Sequence, residues 1–211
     1  MALIFSLLLM VHIAAGAVAL GAGLVLLVLA KGDDRHRRIG RLFGRMMVVV
    51  LIAAYVLAVI RFSPFLLAVA AFSSYLLAAG WRAARRRKPA PGMADRLIAG
   101  LMLGVGLVMA AAGLTGAVDG AARIVMPVFG LLGAALAAQD LLESGRSNAD
   151  RIGRHLSRML GALIATVTAV LVVNGDALGL PSVAAWLVPT VAVVPLIVWW
   201  NVRLRRGAPG H

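Results

Sequence analysis

The sequence predicts an all-α integral membrane protein of seven transmembrane helices, and three observations carry that expectation. First, 62% of the 211 residues are hydrophobic and only 14% are charged, with a mean hydropathy of +0.98. A water-soluble domain of this length needs far more polar residues to cover its surface. Second, the apolar residues fall into runs long enough to cross a bilayer core, which takes roughly 20 residues as a helix. Third, the basic residues are gathered almost entirely into alternate gaps between those runs.

The runs lie at about 3–30, 45–61, 64–81, 96–117, 121–139, 156–174 and 182–201, within a single transmembrane domain over 1–211. No basic residue precedes the first run, and it is longer than the roughly 7–15 residues of a signal-peptide core, so it is expected to be a span. The gap after it holds Lys31, Arg35, Arg37, Arg38, Arg41 and Arg45. The gap after the third holds Arg82, Arg85, Arg86, Arg87, Lys88 and Arg96, and the gap after the fifth Arg146, Arg151, Arg154 and Arg158. Arg203, Arg205 and Arg206 follow the last run. The remaining gaps, near Ser63-Pro64, Asp119-Gly120 and Asn174–Pro181, carry only Arg61 and Arg123. Cytoplasmic loops concentrate Lys and Arg, so this alternation places the N-terminus outside and the C-terminus in the cytoplasm. Heavy use of Arg and Ala points to a bacterial source, and hence to the inner membrane.

A ten-residue phrase recurs with six positions unchanged: RIGRLFGRMM at 38–47 and RIGRHLSRML at 151–160. Both copies open a span leaving the cytoplasm, where arginines reach lipid phosphates and glycine permits close packing. Their shared direction allows two parallel three-helix halves, spans 1–3 and 5–7, with span 4 as linker. General selection for Arg and Gly at a cytoplasmic span entry explains the same similarity. Small residues are dense in span 4, at Gly100, Gly104, Gly106 and Gly113, with Gly100 and Gly104 a four-spaced pair; such positions would let a neighbouring backbone approach, giving span 4 a central place. Pro127, Pro189 and Pro195 are expected to kink or interrupt spans 5 and 7.

Several function classes are excluded. With no cysteine there are no thiolate metal sites or iron–sulfur clusters. All carboxylates lie near span ends, so no acidic relay crosses the membrane, and Lys31 and Lys88 sit in loops, where neither can carry a retinal. The net charge of +13 follows from membrane topology and implies no nucleic-acid partner. No phosphate loop, zinc-protease helix or nucleophile elbow is present, and the sequence assigns no enzymatic activity.

Histidines are the remaining candidates. His12, inside span 1, is either functional or a packing residue bonded to a neighbouring helix; its expected polar partners are Asn174, Arg61, Asp119 or Asp176. His36 and His155 stand in arginine-rich sequence at the inner ends of outgoing spans. Facing each other, they would ligate haem iron axially, with Arg38, Arg41, Arg154 and Arg158 on the propionates. With Asp140 and Glu143 they would instead suit a divalent metal. The expected geometry is a shared cavity bordered by an arginine from 38–45 or 151–158. Alternatively, each histidine is one more interfacial basic group. His211 falls in a Gly/Pro tail.

The order His12, then His36-Arg37-Arg38-Ile39-Gly40-Arg41, then Arg154-His155-Leu156-Ser157-Arg158-Met159, resembles a family of bacterial multi-pass membrane proteins, a domain of unknown function with an H…HRxxGR…RHxxRM pattern. The resemblance covers spans 1, 2 and 6, singles out His12, His36 and His155, and implies a setting near respiratory-oxidase or haem assembly. The leading expectation is thus a protein binding b-type haem or a divalent metal. A small-solute or lipid transporter and a non-catalytic accessory subunit are the alternatives. Its partners are the bilayer, anionic headgroups at the arginine clusters, and a membrane protein or a second copy of itself.

Overall fold

The computed structural model describes residues 2–86, 90–142 and 147–206. Among them the fold is all-α: α1 (Ala2–Val28), α2 (Asp34–Ile60), α3 (Pro64–Arg85), α4 (Met93–Leu114), α5 (Ala122–Leu142), α6 (Asn148–Asn174) and α7 (Ser182–Arg206). All seven are long and apolar enough to cross a membrane. Large apolar side chains such as Leu7, Ile52, Leu66, Leu101, Leu131, Val173 and Val191 stay exposed along them, as in a protein solvated by hydrocarbon.

Helix boundaries differ from the expected spans mainly at the basic ends. α2 begins at Asp34 rather than 45, and α6 at Asn148 rather than 156. Hydropathy loses the arginine-bearing turns, but capping side chains start the helix before them. Asp33 accepts the His36 backbone N–H at 2.6 Å. Ser147 accepts that of Asp150 at 3.1 Å and donates its hydroxyl to the Asp150 carboxylate at 2.8 Å. Asp95 likewise reaches back to the Gly92 N–H at 2.8 Å, starting α4 at Met93. At the other polarity, Lys31 donates to the Leu26 and Leu27 carbonyls at 2.6 and 2.9 Å and closes α1. Both copies of the repeated phrase are therefore helical throughout, which fixes their arginines onto definite faces. α5 and α7 run unbroken through Pro127, Pro189 and Pro195.

The chain divides into two compact units, Met1–Ala70 and Ala71–His211. In the first, α1 packs on α2 through small residues, with Ala15, Ala19, Ala22 and Gly23 buried on one side and Phe43, Met47 and Leu51 on the other. In the second, α4 packs on α5 and α6 on α7, and α5 also touches α7. The α4–α5 contact corrects the glycine expectation. Gly100 and Gly104 have no neighbouring atom within 4 Å of where a side chain would begin. Gly106 and Gly113 make the contact instead, two turns apart, against the Gly130 backbone and the Pro127 ring. Helix faces, not spacing alone, decide which glycine meets a neighbour. Residues of α3 within the second unit reach α6 at Gly80, against Met159 and Arg158, and at Leu76, against Gly161.

Candidate functional site

The arginine-bearing turns of the second unit build a buried ionic cluster around Asp140, in the last turn of α5. Its Oδ1 lies 2.7 Å from Nη2 of Arg158 and 3.2 Å from Nε of Arg154. Its Oδ2 accepts the Tyr75 hydroxyl at 2.6 Å. Arg158 Nη2 also donates to the Leu136 carbonyl at 3.0 Å and to Gln139 Oε1 at 3.3 Å, while Nη1 reaches Ser157 Oγ at 3.2 Å. The Arg158 guanidinium stands 5.9 Å from the Tyr75 ring centroid. Burial is nearly complete: Arg158 is 1% exposed, Asp140 4% and Arg154 6%. Few buried charges survive without such pairing, because desolvation costs several kcal/mol per ion. The negative end of the α5 dipole adds to the pull on Arg158.

Helical periodicity explains how α6 serves two neighbours. Arg154 and Arg158, four residues apart, share a stripe that grips Asp140. Arg151 and His155, also four apart, form a second stripe against α3. Arg151 Nη1 donates to the Ala83 carbonyl at 3.1 Å, and His155 Nδ1 bonds the Gly80 carbonyl at 2.9 Å. A carbonyl only accepts, so Nδ1 carries the proton and, in the neutral ring, Nε2 holds the lone pair. Gly80 allows this approach: a Cβ there would lie 2.9 Å from Met159 Sδ and 3.0 Å from Arg158 Cβ.

A second carboxylate, Asp95 near the start of α4, pairs with arginines at the end of α3. Asp95 Oδ1 accepts from Arg82 Nε at 2.7 Å, and its Oδ2 lies 3.6 Å from Arg86 Nη1. The Arg86 side chain is only 11% exposed, and its three guanidinium nitrogens are buried with no hydrogen-bond partner among the described residues. Arg154 lies within electrostatic range of Arg86 as well as Arg158.

Of the residues singled out from sequence, the structure brings together Asp140, Arg154 and Arg158. His155 is one residue along the same helix but turned to α3. His36 belongs to the first unit, partly buried in the opening turn of α2, and Arg38 and Arg41 are exposed there. Glu143 and His211 lie outside the described residues. Both oxygens of Asp140 are committed to Arg and Tyr donors, and among the described residues no three His, Asp or Glu side chains converge as a metal site. His12 finds a backbone partner rather than any of the expected side chains: its Nδ1 bonds the Val50 carbonyl of α2 at 3.0 Å. Asn174 bonds back to Val170 in its own helix at 2.8 Å, and Arg61 lies 4.6 Å from the Phe5 ring centroid.

Sequence reasoning missed Tyr75, Gln139, Gly80, and the Arg82–Arg86–Asp95 group. Tyr75 offered one signal: a hydroxyl within an apolar span needs a partner. Comparison with protein families, curated proteins and solved structures finds no match to this chain.

Proposed function

We propose that the chain is a multi-pass protein of the bacterial inner membrane, N-terminus outside and C-terminus cytoplasmic, that recognises an anionic group at the arginine cluster of its second unit. This reading belongs to the small-solute or lipid transporter class. The carrying observation is that Arg154 and Arg158, both buried, converge on the carboxylate of Asp140, and that in the same unit the buried guanidinium nitrogens of Arg86 have no hydrogen bond among the described residues. Buried like charges repel strongly where the dielectric is low, so a cluster rich in arginine gains free energy when an anion enters it. The orientation is supported by the arginine-rich turns at the start of α2 and α6 and at the end of α3, against the sparse connections at the opposite helix ends.

The test is thermal unfolding of the purified protein in detergent at constant ionic strength, with phosphate, sulfate, citrate or chloride as the varied anion. A midpoint raised by at least one oxyanion over chloride, and not raised in Arg154→Gln, supports the reading. A midpoint indifferent to every anion overturns it. One observation favours a second reading, a b-type haem or metal carried by His155: a ring whose Nδ1–H is fixed by a carbonyl presents Nε2 as a ligand. A Soret band or stoichiometric metal in the purified protein decides for that reading.

A further inference from the structure

We infer that α2, in the first unit, carries a binding stripe for an anionic phospholipid, with the phosphate at Arg38, Arg41 and Arg45 and the acyl chains along Val48, Ile52, Val56 and Val59. The stripe is separate from the anion cluster of the second unit, and the two stand or fall independently. Periodicity assembles it. Positions 38, 41, 45, 48, 52, 56 and 59 are three or four residues apart, so they share one side of a helix with 3.6 residues per turn. All of them are exposed. Phe43, Met47 and Leu51, on the other side, are buried in the unit that α2 forms with α1. A single face therefore passes from arginine at the start of the helix to bare valine and isoleucine further along. That is the polarity profile of a phospholipid, read from headgroup to chain.

Within the unit nothing competes for these arginines. Its carboxylates are Asp33, which accepts the His36 backbone N–H, and Asp34, which pairs with Arg37. The α1 helix contains no charged residue. Arg38, Arg41 and Arg45 make no hydrogen bond or ion pair among the described residues. Guanidinium forks match the spacing of phosphate oxygens, so three free forks on one face suit a phosphodiester headgroup. Depth selects a lipid over a soluble anion. From Arg45 to Ile60, where α2 ends, the helix rises roughly 22 Å, less than the roughly 30 Å of a hydrocarbon core. Arg45 thus reaches phosphate level by extending back along the helix, as arginine does when it snorkels. A guanidinium at that boundary is costly without an anion, and a lipid phosphate is the anion native to that depth. Only a lipid also covers the apolar continuation of the stripe.

The chain has no cysteine, so a single introduced thiol can be labelled without background. Full-length Val48→Cys protein carrying a fluorophore is placed in phosphatidylcholine vesicles with a minor fraction of phosphatidylglycerol. Either the phosphatidylglycerol or an equal amount of the phosphatidylcholine is brominated in its chains. The expected result is quenching at least ~3-fold stronger by brominated phosphatidylglycerol, weakening as salt is raised. A label at Leu131→Cys, exposed on α5 with no arginine within two turns of its own helix, should be quenched equally by both lipids. Replacing Arg38, Arg41 and Arg45 together by Gln should abolish the preference at Val48, and replacing them by Lys should keep most of it. These side chains are exposed and unpaired, so both triple variants should hold the parent unfolding midpoint; if the Gln variant does not, the Lys variant and the Leu131 label still decide. Equal quenching at Val48 by the two lipids overturns the inference. So does a preference that survives the Gln variant, one equally strong at Leu131, or one abolished by soluble phosphate at constant ionic strength.

Discussion

The phrase at 38–47 and its near-copy at 151–160 fold into the same structure, the opening turns of a long helix, and meet opposite fates. In α2 the side chains of Arg38, Arg41 and Arg45 are exposed, and the buried positions are Phe43, Gly44 and Met47. In α6 the matching Arg154 and Arg158 are buried, and Arg151 is half-buried. The neighbours account for the difference. α1, which packs on α2, contains no charged residue and could not compensate a buried arginine. α5 carries Asp140, with Gln139 and the Leu136 carbonyl beside it, and α3 adds Tyr75. Two ten-residue stretches alike at six positions thus encode a helix start in both places. Whether the start becomes a solvated basic rim or a buried ionic site is decided by one carboxylate on another helix.

Removing that carboxylate should produce the largest effect. Asp140→Asn leaves Arg154 and Arg158 buried against a neutral side chain and is expected to cost about 3–5 kcal/mol of stability. Asp34, which pairs with Arg37 at 3.5 Å at an exposed site, is the matched control; Asp34→Asn should cost no more than about 1 kcal/mol. Denaturant unfolding in a fixed detergent measures both. Similar costs for the two variants would erase the distinction between the copies.

Tyr75→Phe removes a single donor from the Asp140 carboxylate and should cost about 1.5–3 kcal/mol, the range for a buried hydrogen bond to a charged group. A Tyr75→Phe protein as stable as the parent would show that Arg154 and Arg158 satisfy Asp140 alone.

The smallest effect separates the two glycines of the phrase. Gly40 has open space around it, so Gly40→Ala should stabilise by about 0.5–1 kcal/mol through helix propensity. At Gly153 a new Cβ would run into the Asn201 side chain of α7, which can move aside but loses its present position. Gly153→Ala should therefore forfeit that gain and fall at or slightly below parent stability. Equal gains at both positions would mean that α6 and α7 are less closely packed at this level.

The seven helices were legible in the sequence because hydropathy and loop charge report on the bilayer directly, residue by residue. The helix starts were not, since arginines at 38–45 and 151–158 lower the local hydropathy although Asp33 and Ser147 cap helices ahead of them. Asp140, Arg154 and Arg158 were visible as candidates through their charge at a span end. Their mutual pairing was hidden, because it depends on which faces of α5 and α6 meet. Tyr75 and Arg86 escaped notice for a related reason: a tyrosine in an apolar run and an arginine in a basic gap look ordinary until a distant residue approaches. His12 was visible as a polar residue in lipid, but its Val50 partner is a backbone carbonyl, and no side-chain pattern announces one.

A double-mutant cycle between Asp140 and Arg158 tests most directly whether the second copy of the phrase is a buried ionic site. Asp140→Asn, Arg158→Met and the double variant are unfolded by denaturant in the same detergent, alongside the cycle for Asp34 and Arg37. The expected coupling is about 1.5 kcal/mol or more for the buried pair, against about 0.5 kcal/mol or less for the exposed one. Coupling near zero between Asp140 and Arg158 would contradict the account, since two groups 2.7 Å apart and shielded from water cannot be independent.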